Sequence, residues 1–176
     1  PGTGKTSTLK TFIAAYEQLM GADAKVVLAA PTGRAAKRMT EATGREARTL
    51  HRLLGWTAHA RGEGGGGREI EGTALVVDES SMMDLYITHE VLRALPDSCR
   101  LILVGDADQL PSVGAGNVLA DIVASGAIPV ARLSQIFRQS EGSSIDAAAR
   151  ETHDGRVPTL TDPPHSSDMW QVTVSE

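Results

Sequence analysis

Short apolar segments alternate with helical segments along this chain, and that alternation limits the folds that it can adopt. The apolar runs at 25–30, 74–77, 101–104 and 129–133 have the length and composition of buried β-strands. The intervals between these runs are long enough for crossover helices, which parallel strands require. We therefore predict an α/β domain with a parallel sheet that is flanked by helices.

Glycines and polar caps mark the ends of the predicted helices. Apolar residues at helical spacing between Leu9 and Met20 predict a helix that stops at Gly21, and a second helix over 34–43 stops at Gly44. The other predicted elements are a helical turn over 49–54, a helix over 85–95 capped by Asp84, helices over 118–123 and about 144–153, and a late strand over 169–174.

The length of 176 residues suits one domain with a single buried core. Cys99 is the only cysteine, so the chain cannot form an internal disulfide. No apolar run is long enough to cross a membrane and there is no signal peptide, so we expect a cytoplasmic protein with no membrane partner. The chain begins at Pro1 within a recognisable loop, and we interpret it as an N-terminally truncated fragment.

The charge is unevenly distributed along the chain. The net charge is −5, but the stretch 34–52 carries six basic and two acidic residues, so the rest carries −9. Such a basic band can follow a phosphate backbone, although an ordinary solvated helix face has the same composition. The six basic residues are Arg34, Lys37, Arg38, Arg45, Arg48 and Arg52.

The first six residues, Pro-Gly-Thr-Gly-Lys-Thr, match the end of a Walker A phosphate-binding loop. Glycines let backbone N–H groups approach phosphates closely, and the N-terminus of the following helix favours an anion. Lys5 would hold the β- and γ-phosphates of ATP, and the Thr6 hydroxyl would bind Mg²⁺. The candidate nucleotide-binding residues here are Gly2, Thr3, Gly4, Lys5, Thr6 and Ser7.

Two acidic residues follow the apolar run 74–77. Asp78 can hold Mg²⁺ through water, and Glu79 is placed to orient and activate an attacking water. The alternative is a strand that ends in two surface acids.

Two further segments carry candidate phosphate contacts. Gln109 lies in the polar loop 105–111, which follows a predicted parallel strand, and it could report the presence of the γ-phosphate. Arg138 stands between two apolar neighbours, Ile136 and Phe137, and a predicted helix start, and its planar guanidinium suits phosphate binding. Taken singly, each segment is also compatible with an ordinary turn or a surface arginine.

Together these segments resemble RecD-like superfamily 1 DNA helicases, the exodeoxyribonuclease V alpha subunit family. The resemblance runs to about residue 158 and implies a RecA-like fold. The matching segments, in family order, are 5–6, 30–36, 49–54, 78–82, 105–116 and 136–139.

The resemblance also implies roles for individual residues. Lys5, Thr6, Asp78 and Glu79 match the ATPase residues, whereas Gln109 matches the motif that links the nucleotide state to DNA. Arg138 matches an arginine that touches the γ-phosphate. The residues implied to contact single-stranded DNA are Pro31, Thr32, Gly33, Arg34, Thr49 and His51. His51 is also compatible with a packed residue, because leucines neighbour it.

The chain departs from the family pattern in several places. Ser80 stands where Ala or Val is expected, and Ser112 stands where Pro is expected. The glycine-rich segment 56–72 occupies the place of a strand-separating pin, and a flexible linker is an equal alternative. We expect the strand before the Walker A loop and the second motor domain to lie outside this sequence. We expect a motor domain over 1–158 and the start of a connection to the second RecA-like domain over 159–176.

The leading hypothesis is a helicase motor domain that hydrolyses ATP to move on single-stranded DNA. The resemblance implies 5′ to 3′ movement and unwinding in repair or recombination, with DNA junctions and a repair complex as possible partners. Residues 1–176 alone should be nearly inactive. The alternatives are a non-catalytic DNA- or partner-binding remnant and a P-loop kinase, which Glu79 argues against.

Overall fold

A computed structural model of the chain describes residues 4–56, 69–110, 112–133, 148, 151–152 and 155–157, and the elements of the fold given below lie within these ranges. Residues 5–132 form one compact unit. A second unit combines residues 1–4 with 133–176, and most of its residues lie outside the described ranges.

The unit 5–132 is a four-stranded parallel sheet with helices on both faces, as predicted. The strand order is β2-β1-β3-β4, with every neighbouring pair parallel. The strands are β1 (Val26–Ala30), β2 (Ala47–Thr49), β3 (Ala74–Val77) and β4 (Arg100–Leu103). The α-helices are α1 (Lys5–Met20), α2 (Gly33–Thr43), α3 (Leu50–Leu53), α4 (Leu85–Ala94) and α5 (Val118–Ser125). Short 3-10 helices cover Gly21–Asp23 and Ser80–Met82.

The central strand β3 separates two apolar cores. All four of its side chains are completely buried, which suits a strand covered on both faces. Leu75 and Val77 face a core that includes residues of α3 and α4. Val76 points to the opposite face, where it packs with residues of α1 and α2. This alternation follows from the two-residue period of a strand.

The register of the strands aligns their carboxyl ends. Ala29 of β1 lies beside Val77 of β3, which in turn lies beside Leu103 of β4. Ala30 lies beside Thr49 at the end of β2. The segments that follow these four strands therefore meet at one edge of the sheet, where α/β proteins bind their ligands.

The predicted helix boundaries agree closely with the structure. Gly21 and Gly44 take the left-handed backbone conformations expected at helix ends, with φ of 59° and 72°. Asp84 caps α4, since its Oδ1 accepts a hydrogen bond from the N–H of Ile87 at 2.8 Å. The strand predicted at 101–104 begins one residue earlier, at Arg100.

The strand predicted over 129–133 was wrong. Those residues have no strand conformation, and Val130 and Leu133 are exposed. Apolar composition favours a strand only where a partner offers backbone hydrogen bonds, and no described strand pairs with the outer edge of β4. The short strand β2 was not predicted, because its Ala-Arg-Thr sequence has no apolar run.

Several predictions fall on residues outside the described ranges. They include Gly2, Thr3, Arg138, most of the segment 56–72, and the late strand over 169–174. Of the helix predicted over about 144–153, positions 148, 151 and 152 are described, and they are helical. No helix in the described part of the chain is both long enough and apolar enough to span a membrane.

Candidate functional site

Lys5 is the first residue of α1, where a phosphate-binding lysine is expected. Gly4 precedes it with φ of 77°, a conformation that glycine adopts without steric cost. The Lys5 side chain is partly buried, and its Nζ lies 3.8 Å from Oδ2 of Asp106. Ser7 is exposed on the first turn of α1. The helix start therefore places a lysine charge beside the loop that follows β4.

Asp106 links Lys5 to the predicted sensor residue Gln109. Its Oδ1 accepts a hydrogen bond from the N–H of Asp108 at 3.2 Å, and its Oδ2 accepts one from Nε2 of Gln109 at 3.3 Å. Burial raises the pKa of Asp106, but the hydrogen bond from Asp108, the charge of Lys5 and the bond from Gln109 help to hold it below the ordinary value. Asp106 is thus an anion beside Lys5.

Sequence reasoning missed the contact made by Asp106, although it lies within the motif that was singled out. Its position between Gly105 and Gln109 was the available signal. Only the fold brings this carboxylate to Lys5, about a hundred residues away along the chain. The carboxylate places a negative charge beside Lys5, as a bound phosphate would.

Asp78 and Glu79 leave the end of β3 through a strained turn. The N–H of Asp78 continues the ladder to the carbonyl of Ala29 at 3.0 Å. Oδ1 of Asp78 then accepts a hydrogen bond from the N–H of Glu79 at 2.9 Å. Glu79 has φ of 52° and ψ of 38°, and no other described non-glycine residue has a positive φ. Such strain clusters at functional sites, so it marks Glu79 as a candidate.

The turn after Glu79 is tied to the turn after β4. The N–H and Oγ of Ser80 both donate to the carbonyl of Val104, each at 2.9 Å. A Cβ on Gly105 would lie 2.7 Å from Cδ2 of Leu119 and 2.8 Å from Ser80 Oγ. A side chain at position 105 would therefore force these neighbours to shift where the two turns meet. The substitution of Ser80 for the expected apolar residue supplies one of these hydrogen bonds.

The donors near Asp78 suit a cation that phosphates help to bind. No group of three or more His, Cys, Asp or Glu residues within the described ranges could enclose a metal. Mg²⁺ in phosphate-transfer sites uses one or two carboxylates together with water and phosphate oxygens. Oδ2 of Asp78 accepts no hydrogen bond from the described residues, so it remains available to such a cation.

A second group of predicted residues lies at the same edge of the sheet, after β1 and β2. Thr32 caps α2, and its Oγ1 accepts from the N–H of Ala35 at 3.2 Å. Thr49 caps α3 in the same way, accepting from Arg52 at 3.2 Å. Each hydroxyl uses an acceptor lone pair for its cap and keeps its hydrogen to donate. Two hydroxyl donors are thus aligned on neighbouring strand ends.

Pro31 and Thr32 are half-buried, whereas Gly33 and Arg34 are exposed. Arg34 lies in the first turn of α2, where the helix dipole disfavours a cation. The residues predicted to contact DNA in the segments 31–34 and 49–51 thus lie after the neighbouring strands β1 and β2. Arg138 and the two glycine-loop residues Gly2 and Thr3 lie outside the described ranges.

The basic band is partly neutralised within the fold. Arg45 forms two bonds to the carboxylate of Glu17, at 2.5 and 2.7 Å. Arg48 pairs with Glu46 at 3.0 Å. In the described part of the chain no ion pair involves the remaining arginines of the band. These are Arg34, Arg38 and Arg52.

His51 is exposed on α3 and is not packed in the core. Its ring meets the edge of Trp56, with centroids 5.1 Å apart and an interplanar angle of 78°. The ring therefore makes a packing contact with Trp56 and still faces solvent, and its contact with DNA stays a prediction.

The parallel sheet, with the Lys5 helix start and the acidic pair at its carboxyl edge, defines the class of protein: a RecA-like, ATP-binding domain. The family model that matches residues 1–169 is described as an AAA domain. The chain belongs to this AAA domain family.

Two relatives carry the similarity further. The chain is 40% identical over 165 residues to the ATP-dependent RecD2 DNA helicase of Deinococcus radiodurans, covering 92% of this chain and 22% of that protein. It is 43% identical over 143 residues to the RecBCD enzyme subunit RecD of Mycobacterium tuberculosis, covering 70% and 25%. The predicted resemblance to RecD-like helicases is confirmed. The chain spans about a quarter of the length of these relatives.

Solved structures show the same fold. The Pif1 helicase of Candida albicans aligns with a TM-score of 0.64 at 22% identity, over 93% of this chain and 44% of that one. The Bacteroides Pif1 helicase in complex with ADP-AlF3 and single-stranded DNA aligns with a TM-score of 0.57 at 24% identity, over 89% and 41%. At such identities the likeness establishes the fold alone.

Proposed function

We propose that this chain is the first motor domain of an ATP-dependent DNA helicase. The observation that carries the proposal is the shared edge of the sheet. Glu79 follows β3 and Asp106 follows β4, and Lys5 begins α1 beside Asp106. Thr32 follows β1, and Thr49 ends β2. This arrangement supports a nucleotide-phosphate site that adjoins a nucleic-acid-phosphate site.

In the proposed reaction Lys5 leaves Asp106 and binds the β- and γ-phosphates of ATP. The carboxylate of Glu79 orients a water and accepts its proton while the water oxygen attacks the γ-phosphorus. The bond from the γ-phosphorus to the bridging oxygen breaks, ADP and inorganic phosphate depart, and Glu79 releases its proton to solvent. Lys5 then pairs with Asp106 again.

Thr6 and Asp78 would hold Mg²⁺, which supplies charge neutralisation on the phosphate oxygens when bound. The proposed nucleotide site extends beyond them. Its other members are Gly2, Thr3, Gly4, Ser7, Gln109 and Arg138.

Single-stranded DNA is the proposed track. Phosphates would meet Thr32, Gly33 and Thr49 through hydroxyl or backbone donors, with Arg34 supplying charge and Pro31 and His51 completing the surface. Movement 5′ to 3′ and a role in repair or recombination belong to the same proposal. So do the second RecA-like domain, DNA junctions and a repair complex as partners. A motor domain over 1–158 with a pin over 56–72 and a connection over 159–176 is its proposed organisation.

The test is ATP hydrolysis by the full-length protein, measured with and without single-stranded DNA. We expect hydrolysis that single-stranded DNA stimulates strongly. Lys5→Ala should abolish turnover, and Glu79→Gln should keep nucleotide binding while losing hydrolysis. Lys25→Ala is the matched control, because Lys25 is an exposed lysine that precedes β1 at the opposite edge of the sheet.

Each other outcome selects a different function. Hydrolysis that is indifferent to DNA would favour a P-loop kinase or another ATPase. DNA binding without hydrolysis would favour a non-catalytic module. If Glu79→Gln lost nucleotide affinity as well, Glu79 would be a residue of the metal site or the fold instead of the base.

A further inference from the structure

Three aromatic side chains form a cluster next to the Thr49 cap, and the end of α3 explains how it forms. Gly55 has φ of 74° and ends the helix in a left-handed turn. The N–H of Gly55 donates to the carbonyl of Arg52 at 3.2 Å, and the N–H of Trp56 donates to the carbonyl of His51 at 2.8 Å. The chain thus reverses, and the Trp56 ring returns to the edge of the His51 ring.

The third ring comes from a separately anchored helix. Tyr86 is the second residue of α4, whose start is held by the Asp84 cap and by a hydrogen bond of 2.9 Å from the N–H of Leu85 to the carbonyl of Ala115. The ring centroids of Tyr86 and Trp56 are 5.5 Å apart, with the planes tilted by 32°. Trp56 also packs against the core beneath α3 and α4. Two rigid elements therefore hold the three rings in place.

Two of the three rings are exposed to solvent, whereas Trp56 is half-buried. Tyr86 is 61% exposed, and His51 is exposed as well. Rings whose only purpose was to fill the core would be covered, since burial is the source of their stabilising effect. Neither Trp56 nor Tyr86 contributes to the phosphate site around Lys5.

The cluster continues the row of hydroxyl donors at the sheet edge. Thr49 lies beside Ala30, two residues before Thr32, and Thr49 caps the same short helix that carries His51. Arg52 on that helix is exposed, and no ion pair from the described residues neutralises it. The surface therefore combines hydroxyl donors, positive charge and aromatic rings. Proteins that bind single-stranded nucleic acid without sequence preference use positive charge and aromatic rings in this way.

We propose that His51, Trp56 and Tyr86 form a stacking platform for the bases of single-stranded DNA. The inference rests on the proposed function, in which Thr32 and Thr49 hold the phosphates of the strand. Every base has a π-face, so the platform binds without sequence preference. It accepts bases only from an unpaired strand, because bases in a duplex are already stacked and paired.

The experiment compares two labelled oligonucleotides with equal numbers of phosphates, one of thymidines and one of abasic sites. Binding to the full-length protein is followed by fluorescence anisotropy. Tyr86→Leu keeps apolar bulk and removes the ring. We expect it to weaken thymidine binding by about tenfold, the scale of one lost stacking contact, and to leave abasic binding unchanged. Tyr86→Phe should restore the wild-type affinity.

Leu92→Ala is the matched control, because Leu92 is an exposed apolar residue of α4 that lies outside the aromatic cluster, and it should change neither affinity. Trp56→Leu provides a second variant on the other anchored element. The platform is refuted if the wild-type protein binds the abasic strand as tightly as thymidine, or if Tyr86→Leu weakens both equally. Binding of neither oligonucleotide would instead refute the proposed function itself.

Discussion

The left-handed backbone of Glu79 makes a measurable prediction about stability. A non-glycine residue in this conformation is strained by about 1–2 kcal/mol. Glycine relieves that strain, but its freer unfolded chain offsets about 0.4–1 kcal/mol of the gain. At the centres of these two ranges, Glu79→Gly should therefore be more stable than Glu79→Ala by about 0.8 kcal/mol. Both variants lack the carboxylate, so their difference isolates the backbone.

Differential scanning calorimetry of the two variants provides the test. For a domain of this size about 1 kcal/mol shifts Tm by 2–4 °C, so Glu79→Gly should melt about 1–4 °C above Glu79→Ala. Both should have lost ATP hydrolysis. An equal or lower Tm for Glu79→Gly would refute the reasoning, because the strain of the left-handed turn would then not exceed the offset from the freer unfolded chain. Agreement would mean that the site keeps a strained residue where glycine would be more stable.

Three further predictions concern charge and packing at the same edge of the sheet. Arg34→Ala should reduce the salt dependence of single-strand binding by about 0.7 in log–log slope, whereas Arg48→Ala, whose guanidinium is already paired with Glu46, should change it less; salt titrations of both measure the difference. Gly105→Ala should lower Tm, because its Cβ would lie within 3 Å of neighbouring atoms, and a Tm equal to wild type would contradict the close approach. Asp106→Asn should tighten ADP binding in equilibrium titrations, because the charge that competes for Lys5 is removed, and unchanged affinity would rule out that competition.

Local sequence patterns were enough to predict most of the fold. The helices that end at Gly21 and Gly44 follow from spacing of apolar residues and from the conformational freedom of glycine. The buried run 74–77 is apolar at every position, as a strand covered on both faces must be. These features depend on neighbours within a few residues, which a sequence displays directly. The prediction of a strand over 129–133 was wrong, because an apolar pattern does not show whether a pairing strand is present.

The candidate site was predictable only where the sequence around a motif shows whether the motif follows a strand or begins a helix. Lys5 begins a helix, and Asp78 and Glu79 follow a buried strand, so their arrival at the carboxyl edge of a parallel sheet could be expected. Thr32 was also expected at a strand end, whereas the place of Thr49 at this edge depends on β2, which was not predicted. Their use as helix caps could be guessed from the helix starts that follow them.

The sequence by itself determined the alternation of strands and helices, the family and the residue types available for chemistry. Only the tertiary structure decided which of those residues meet. The contact of Lys5 with Asp106 and the ring contact of Trp56 with Tyr86 join segments far apart in the chain. The left-handed turn at Glu79 is likewise held by its surroundings, because isolated residues avoid that conformation. Such features depend on strand register and on packing between elements, which no local pattern encodes.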